Sequence, residues 1–255
     1  MNRAARIAAI RASLAAGGTS IGSWMQIPHA SIAEIMGAVG FDWIAVDLEH
    51  GAVGLHQLPD LFRALELGGT LPLVRLARSS GDECKHVLDA GAGGVIVPMV
   101  TSAEQLRAVG SACRWPPAGS RGVGFSRANL FGQRFADYGR EAQAPLLVAM
   151  IEHIATVEQL PEILAVEGLD AIFIGPYDLS ASMGITGRFD APAFTEVMAA
   201  IRAYAVEASI ACGIHVVAPS RESLAARIAE GYRFLAHSID AVFLTAATQD
   251  AHRPC

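Results

Sequence analysis

The 255-residue chain contains a single lysine, Lys85, against 18 arginines. Imine chemistry on a carbonyl substrate needs a lysine amine at the reacting site. Lys85 falls in a helical stretch away from any strand end, which argues against a Schiff-base mechanism. Cysteine is also scarce. Cys84, Cys113, Cys212 and Cys255 form no C-x-x-C pair, which predicts reduced thiols in a cytoplasmic protein rather than a disulfide scaffold. No apolar run approaches the roughly 20 residues of a membrane span. Charged residues are only 17% of the chain, with 25 acidic against 19 basic side chains and a net charge of −6. That balance offers no surface for nucleic acid or an anionic membrane. There is no Walker sequence, no dinucleotide fingerprint and no G-x-S-x-G elbow, and Ser126 has no evident base. Gly91-Ala92-Gly93-Gly94 precedes a strand and reads as a helix-to-strand turn. Arg3, Arg6 and Arg11 interrupt the N-terminal apolar runs, so this end reads as a short helix and not a targeting peptide.

What the chain has in abundance is apolar residues, 52% of the total, enough to rule out disorder and fill a large core. They fall in eight short runs: Thr19–Met25, Trp43–Leu48, Leu71–Leu76, Gly94–Met99, Pro145–Ile151, Ala171–Gly175, Ala211–Val217 and Tyr232–His237. These are mostly continuous rather than alternating, as parallel strands buried on both faces require. Helical stretches follow them at Ser31–Val39, Leu55–Leu67, Asp82–Ala90, Ser102–Cys113, Thr156–Val166, Ala193–Ala208, Ser220–Ala229 and Ile239–Gln249. Eight such units predict an α/β chain folded as one TIM-type (β/α)8 barrel over residues 1–255, with a doubly wound open sheet as the competitor. The segment 114–144 does not fit the repeat and predicts a lid or an interface.

A barrel of this kind carries its chemistry at the C-terminal ends of its strands, and polar groups collect there. Glu152 and Asp178 end successive runs. Two carboxylates without a nearby lysine suit a hard divalent cation, Mg²⁺ or Mn²⁺, with positions left open for water and a chelating substrate; alternatively each caps a helix or pairs with an arginine. Asp47 and His50 lie three residues apart, so the carboxylate can orient the imidazole as a general base, or can cap the turn and leave His50 in solvent. Arg75 stands inside an apolar run and requires a fixed anionic partner, either a structural carboxylate or a substrate oxyanion. His215 and His237, inside strand runs, read as satisfied core histidines. His153, beside Glu152, points the other way along its strand and is not counted as a ligand.

Several local motifs then resemble one family. They are Gly22-Ser23-Trp24, Phe41-Asp42-Trp43 with Asp47-Leu48-Glu49-His50, Pro72-Leu73-Val74-Arg75, and Leu88-Asp89-Ala90-Gly91. Further on come Val97-Pro98-Met99-Val100, Arg121-Gly122-Val123-Gly124, and Gly175-Pro176-Tyr177-Asp178-Leu179-Ser180 downstream of Glu152. From about Gly22 to Val242 the chain resembles the HpcH/HpaI aldolases, metal-dependent class II pyruvate aldolases. The resemblance implies an aldolase that cleaves or forms 4-hydroxy-2-oxo acids, giving pyruvate and an aldehyde. It implies metal ligands at Glu152 and Asp178, with Mg²⁺ or Mn²⁺ favoured over Co²⁺ or Zn²⁺, an Asp47–His50 base dyad and an enolate-stabilising Arg75. It places the substrate carboxylate against Gly175, Pro176, Tyr177 and Asp178, and Trp24 beside pyruvate. Asp89 reaches a neighbouring subunit's site, and Arg127 is a candidate for reading the distal end of the substrate. The implied assembly is a hexamer, a trimer of dimers, with the last helix exchanged. Met150 departs from the glutamine often found two residues before the metal-binding glutamate, and the segment after Gly124 departs from the dicarboxylate version. Oxaloacetate decarboxylation, another synthase reaction, citrate-lyase-type thioester cleavage and a non-catalytic barrel are the alternatives. The thioester reading lacks a basic track for nucleotide phosphates.

Overall fold

Burial of an apolar run on both faces forces a strand into the interior of a sheet, and a sheet made only of such strands has to close on itself. A computed structural model of the protein, describing residues 1–252, shows that outcome. Among the described residues, β1 (Ser20–Met25), β2 (Trp43–Asp47), β3 (Leu71–Arg75), β4 (Gly94–Val97), β5 (Leu146–Ile151), β6 (Ala171–Ile174), β7 (Ala211–Val216) and β8 (Phe234–Ile239) form a closed barrel in sequence order. Every pairing is parallel, including the closing pair β1–β8. The open-sheet alternative is thereby excluded. No helix among the described residues is long and apolar enough to cross a membrane.

The two-residue side-chain period sorts each strand between two cores. Trp24, Trp43, Leu73, Ile96, Val148, Phe173 and Phe234 point inward. Trp43 stacks on Phe234 with ring centroids 4.4 Å apart, and Trp24 on Phe173 at 5.5 Å. Gly22 has no side chain because the Trp43 ring occupies the place a Cβ would take. Ile44, Val46, Val95, Val97, Ile151, Ile172 and Ile174 point outward to the helices. The helix Leu58–Leu67 meets them with Leu58, Leu61, Phe62 and Leu65, the i, i+3, i+4, i+7 stripe of an amphipathic helix.

The end of the barrel where strands begin is closed by the predicted N-terminal helix, Arg3–Ala15. Its Ile7 and Ile10 enter the inner core. Arg6 donates to the Phe41 and Asp42 carbonyls, and Arg11 pairs with Asp170 at 2.6 Å. Gly91, at φ 109°, makes the predicted turn into β4.

Two sequence expectations are corrected: reduced thiols throughout, and a lid formed by segment 114–144. Cys84 and Cys113 are joined by a disulfide, their Cα atoms 5.0 Å apart. They lie 29 residues apart on the helices Cys84–Asp89 and Ala103–Cys113, and only the packing of those helices brings them together. Cys212 is free and buried; Cys255 lies outside the described residues. Segment 114–144 enters β5 from the helix Ala103–Cys113, so it lies at the end where strands begin, opposite the catalytic rim. It folds around Trp115, Ala128, Tyr138 and Ala142 and contains a helix, Phe135–Glu141. It therefore does not close the site of its own barrel, and Phe125 and Phe131 on it are exposed to solvent. The residues after β6 form a further helix, Pro176–Ser182, beyond those listed from sequence. Pro176 at its first turn supplies a preset φ and lacks only an N–H that would be unpaired there.

Candidate active site

At the opposite rim a cavity of about 190 Å³ opens among the strand ends. Trp24, His50, Arg75, Glu152, Gly175, Pro176, Tyr177 and Asp178 line it. Sequence reasoning placed all eight at this site. Asp47 stands one layer behind the wall.

Arg75, the last residue of β3, is buried and held by two carboxylates. Its Nε and Nη2 donate to Asp47 at 2.9 and 2.6 Å, a bidentate fork. Its Nη1 lies 2.8 Å from Glu49 Oε2 as a charge contact outside hydrogen-bond alignment. The guanidinium also sits over Trp24, 5.3 Å from the ring centroid. Burial pushes the Asp47 carboxyl upward. The hydrogen bonds and charge of Arg75 outweigh it, and Gln26 Nε2 at 2.9 Å adds to them, holding the group at about 2.

Asp47 makes no hydrogen bond to the His50 imidazole. It accepts instead from the backbone N–H groups of Glu49 and His50, at 3.0 and 3.2 Å. The expected dyad is therefore corrected: Asp47 fixes the turn and the arginine, and His50 is placed at the cavity by its backbone. A carboxylate with five donors around it has no lone pair to spare for an exposed imidazole.

Glu152, just past β5, is only 2% exposed. Its Oε2 accepts from the Met99 N–H at 2.8 Å. Met99 sits at φ 45°, an uncommon backbone conformation for a side-chain-bearing residue. Burial raises the Glu152 carboxyl to about 7; the Met99 amide opposes this, while the charges of Glu49 and Asp178 add to it. Gly175 is required opposite: a Cβ there would stand 2.5 Å from Glu152 Oε1. Asp178 lies in the first turn of the helix Pro176–Ser182 and is exposed to the cavity. Among the described residues no group of three His, Cys, Asp or Glu is arranged around one point. The carboxylates of Glu152 and Asp178 thus form an open donor pair with unbalanced negative charge, because Arg75 is already engaged. A hard cation with free coordination positions fits that arrangement.

The raised carboxyl sets a pH dependence. In the metal-free protein Glu152 charges near pH 7, but in the unfolded chain near 4.5. The folded state binds the extra proton between those values, so this group makes stability fall as pH rises through them. His215 opposes it: burial lowers that imidazole to about 4, so stability is lost as pH falls from about 6.5. Comparing Glu152→Gln with the parent chain cancels the histidine. The variant is expected to be roughly 2–3 kcal/mol more stable at pH 8, with the gain vanishing near pH 4.5. Thermal melts of both proteins in chelator, from pH 4 to 8, check this.

Two predicted site residues are not brought to the cavity of this chain. Asp89 ends the helix Cys84–Asp89, half-buried, 3.9 Å from Arg121 Nη1. Arg127 donates to the Ala90 carbonyl at 2.8 Å and pairs with Glu66 at 2.6 Å, so its guanidinium is a structural clamp at the far end of the barrel. Sequence reasoning missed Gln26, Glu49, His215 and Asp240. Gln26 and Glu49 follow strand ends, so the rule that found Asp47 covers them. Asp240 accepts from the N–H groups of Gln26 and Ile27, at 2.8 to 3.1 Å, and holds the end of β1. His215 interrupts an apolar run just as Arg75 does. His237 is half-buried with a sealed, unpartnered Nε2, so it is not the satisfied core histidine expected, and His153 caps the helix after Glu152 through Nδ1.

Residues 20–247 match the family model described as HpcH/HpaI aldolase/citrate lyase. The chain is 42% identical to a hydroxypyruvate/pyruvate aldolase of Agrobacterium fabrum, over 80% of this chain and 77% of that protein. It is 35% identical to a 4-hydroxy-2-oxovalerate aldolase of Novosphingobium aromaticivorans, over 95% and 92%. A solved HpcH/HpaI aldolase/citrate lyase family structure from Burkholderia cenocepacia superposes with a TM-score of 0.88 at 29% identity, over 95% of this chain and 97% of that one. A closed parallel barrel with paired carboxylates and a clamped arginine at its catalytic rim, matched over nearly its whole length, makes this chain a member of the HpcH/HpaI aldolase/citrate lyase family.

Proposed function

We propose that the protein is a divalent-metal-dependent aldolase that cleaves or forms 4-hydroxy-2-oxo acids, giving pyruvate and an aldehyde. The observation that carries this is Glu152, a buried carboxylate beside Asp178 with no cationic partner of its own. The aldolases that the chain resembles support the same reading. Glu152 and Asp178 would hold the cation, Mg²⁺ or Mn²⁺; when bound, it supplies Lewis-acid polarisation of a 2-oxo acid. The backbone N–H groups of Tyr177 and Asp178 belong to a first helical turn, whose N–H groups lack helical partners, and they suit the substrate carboxylate. Arg75 offers fixed positive charge to the oxygen that becomes negative in pyruvate enolate. Asp47 and Glu49 hold that charge in place. His50 moves protons: in the cleavage direction it takes the proton of the C4 hydroxyl, the C3–C4 bond breaks and the aldehyde leaves. Trp24 and Met150 wall the inner end of the cavity.

Pyruvate in heavy water tests this without knowledge of the aldehyde. The methyl signal is expected to disappear when Mn²⁺ or Mg²⁺ is present, and to persist with chelator or with His50→Ala. Exchange indifferent to chelator, or absent with every metal, would overturn the reading. Alanine at Gly175 is expected to push the Glu152 carboxylate aside. Mn²⁺ binding, measured calorimetrically, should weaken by at least about tenfold, with the melting temperature little changed.

For the assembly we propose a hexamer, a trimer of dimers, with the last helix exchanged between subunits. Asp240–Ala251 buries only Asp240, and Leu244 on it is 54% exposed. Beside β1 and β8 a groove of about 540 Å³ is lined by Ile21, Val39, Phe41, Leu224 and Ile228. That is where the eighth helix of a barrel packs. The apolar lining of this groove and the exposed last helix support the reading that a second copy's last helix occupies it. Truncation after Ile239 is expected to reduce the assembly to smaller species in analytical ultracentrifugation; an unchanged mass would exclude the exchange.

A further inference from the structure

We propose that His215 recognises a hydroxyl group of the substrate through its Nδ1 lone pair, an inference that rests on the aldolase reading. His215 breaks the apolar pattern of β7. Gly213, His215 and Val217 share the inward side, whereas Ile214 and Val216 belong to the outer layer. The imidazole is wedged between Trp24, with ring centroids 5.1 Å apart, and Phe173 at 6.3 Å. A polar ring among aromatics costs stability unless its nitrogens are satisfied. One is: Nε2 lies 3.1 Å from the Ser238 carbonyl.

A carbonyl oxygen can only accept, so Nε2 carries the proton and Nδ1 is left as an acceptor. Among the described residues no protein donor reaches Nδ1, and it is not among the side-chain nitrogens sealed from solvent without a partner. The side chain lines the site cavity. Burial, with the charge of Arg75 adding to it, keeps the ring neutral at physiological pH, although Asp47 and the Ser238 carbonyl act the other way. The acceptor role is therefore permanent there.

The chemistry of the ligand follows. Arg75, the amides at Tyr177 and Asp178 and the bound cation all seek substrate oxygens that accept. An acceptor on the wall needs a substrate group that donates, and in a 2-oxo acid or an aldehyde that group is a hydroxyl. The C4 hydroxyl of the aldol gives its proton to His50, so two other sources remain: C3 of a 3-hydroxy-2-oxo acid, or the carbon next to the aldehyde group. Tyr177 and Val217 line the same cavity as His215.

The test crosses two donors with two acceptors in the Mn²⁺-loaded enzyme: pyruvate or hydroxypyruvate with acetaldehyde or glycolaldehyde. The readout is the ratio of kcat/KM between the hydroxylated and plain member of each pair. His215→Leu fills the space without an acceptor and is expected to lower one ratio by about tenfold or more. Loss in the donor ratio assigns the hydroxyl to C3, and loss in the acceptor ratio assigns it to the aldehyde. His215→Asn, which keeps an acceptor oxygen, is expected to restore part of that ratio. A structural role alone would change all four pairings together and leave both ratios unmoved, and that result overturns the proposal. Absence of turnover by the parent enzyme in every pairing, with no exchange of pyruvate protons, would instead overturn the aldolase reading and this inference with it.

Discussion

Alanine at Glu152 is expected to lower kcat/KM for aldol cleavage by about 10³-fold or more and to abolish metal-dependent exchange of pyruvate protons. Among the described residues Glu152 and Asp178 are the two carboxylates that line the cavity, and Asp178 alone is exposed and unconstrained. Glu152 is held by the Met99 N–H at 2.8 Å and sealed from solvent, so its oxygen is positioned before any ligand arrives. Pre-organised charge in a water-poor site contributes several kcal/mol to the reaction, which is where the expected factor originates. Glu152→Gln separates this from misfolding, because it is expected to lose activity while gaining stability at pH 8. The measurement is kcat/KM against added Mn²⁺ for parent and both variants. Full activity in a metal-stripped Glu152→Ala protein would refute the assignment.

Alanine at Arg75 is expected to be the most destabilising change at the rim, at about 3–5 kcal/mol. Its removal leaves Asp47, fully buried, and Glu49 without a counter-charge. The sign of the pH dependence then reverses. With Arg75 present, Asp47 titrates near 2 and contributes stability above pH 3.8, lost as pH falls through about 2. Without it, only the hydrogen bonds from Gln26 and the backbone oppose burial, the largest influence on this group, so the carboxyl rises and the variant regains stability as pH falls from neutrality towards 4. Urea unfolding at pH 7.5 and pH 5 reads both effects. Arg75→Lys keeps the charge but not the bidentate fork, and is expected to lie between the two. Asp47→Ala in the Arg75→Ala background is expected to recover part of the loss, since the stranded charge is gone. Equal destabilisation of Arg75→Ala at both pH values would show that the ion pair is not its source.

The barrel was legible because its signals are local. Eight apolar runs, each followed by a helical stretch, specify the order of strands without any contact being known. The position of a polar residue just past such a run places it on the catalytic rim, so Asp47, Arg75, Glu152 and Asp178 could be gathered from spacing alone. Loops were less legible. Pro176–Ser182 is helical partly because β6 ends where its first turn can start, and Thr156–Val166 is split into Ile154–Val157 and Leu160–Leu164.

By itself the sequence determined the strand order, the rim on which chemistry gathers, the charge type of each group there and the exclusion of lysine chemistry. All of these depend on residue type and on neighbours within one strand–helix unit. Tertiary structure decided the rest. It set Asp47 on Arg75 rather than on His50, and tied Arg127 to Glu66. It joined Cys84 to Cys113, raised the Glu152 carboxyl by burying it beside Glu49 and Asp178, and turned one nitrogen of His215 to the cavity. Each of these is a competition for partners among groups far apart in the chain, settled by distance and desolvation that no spacing encodes.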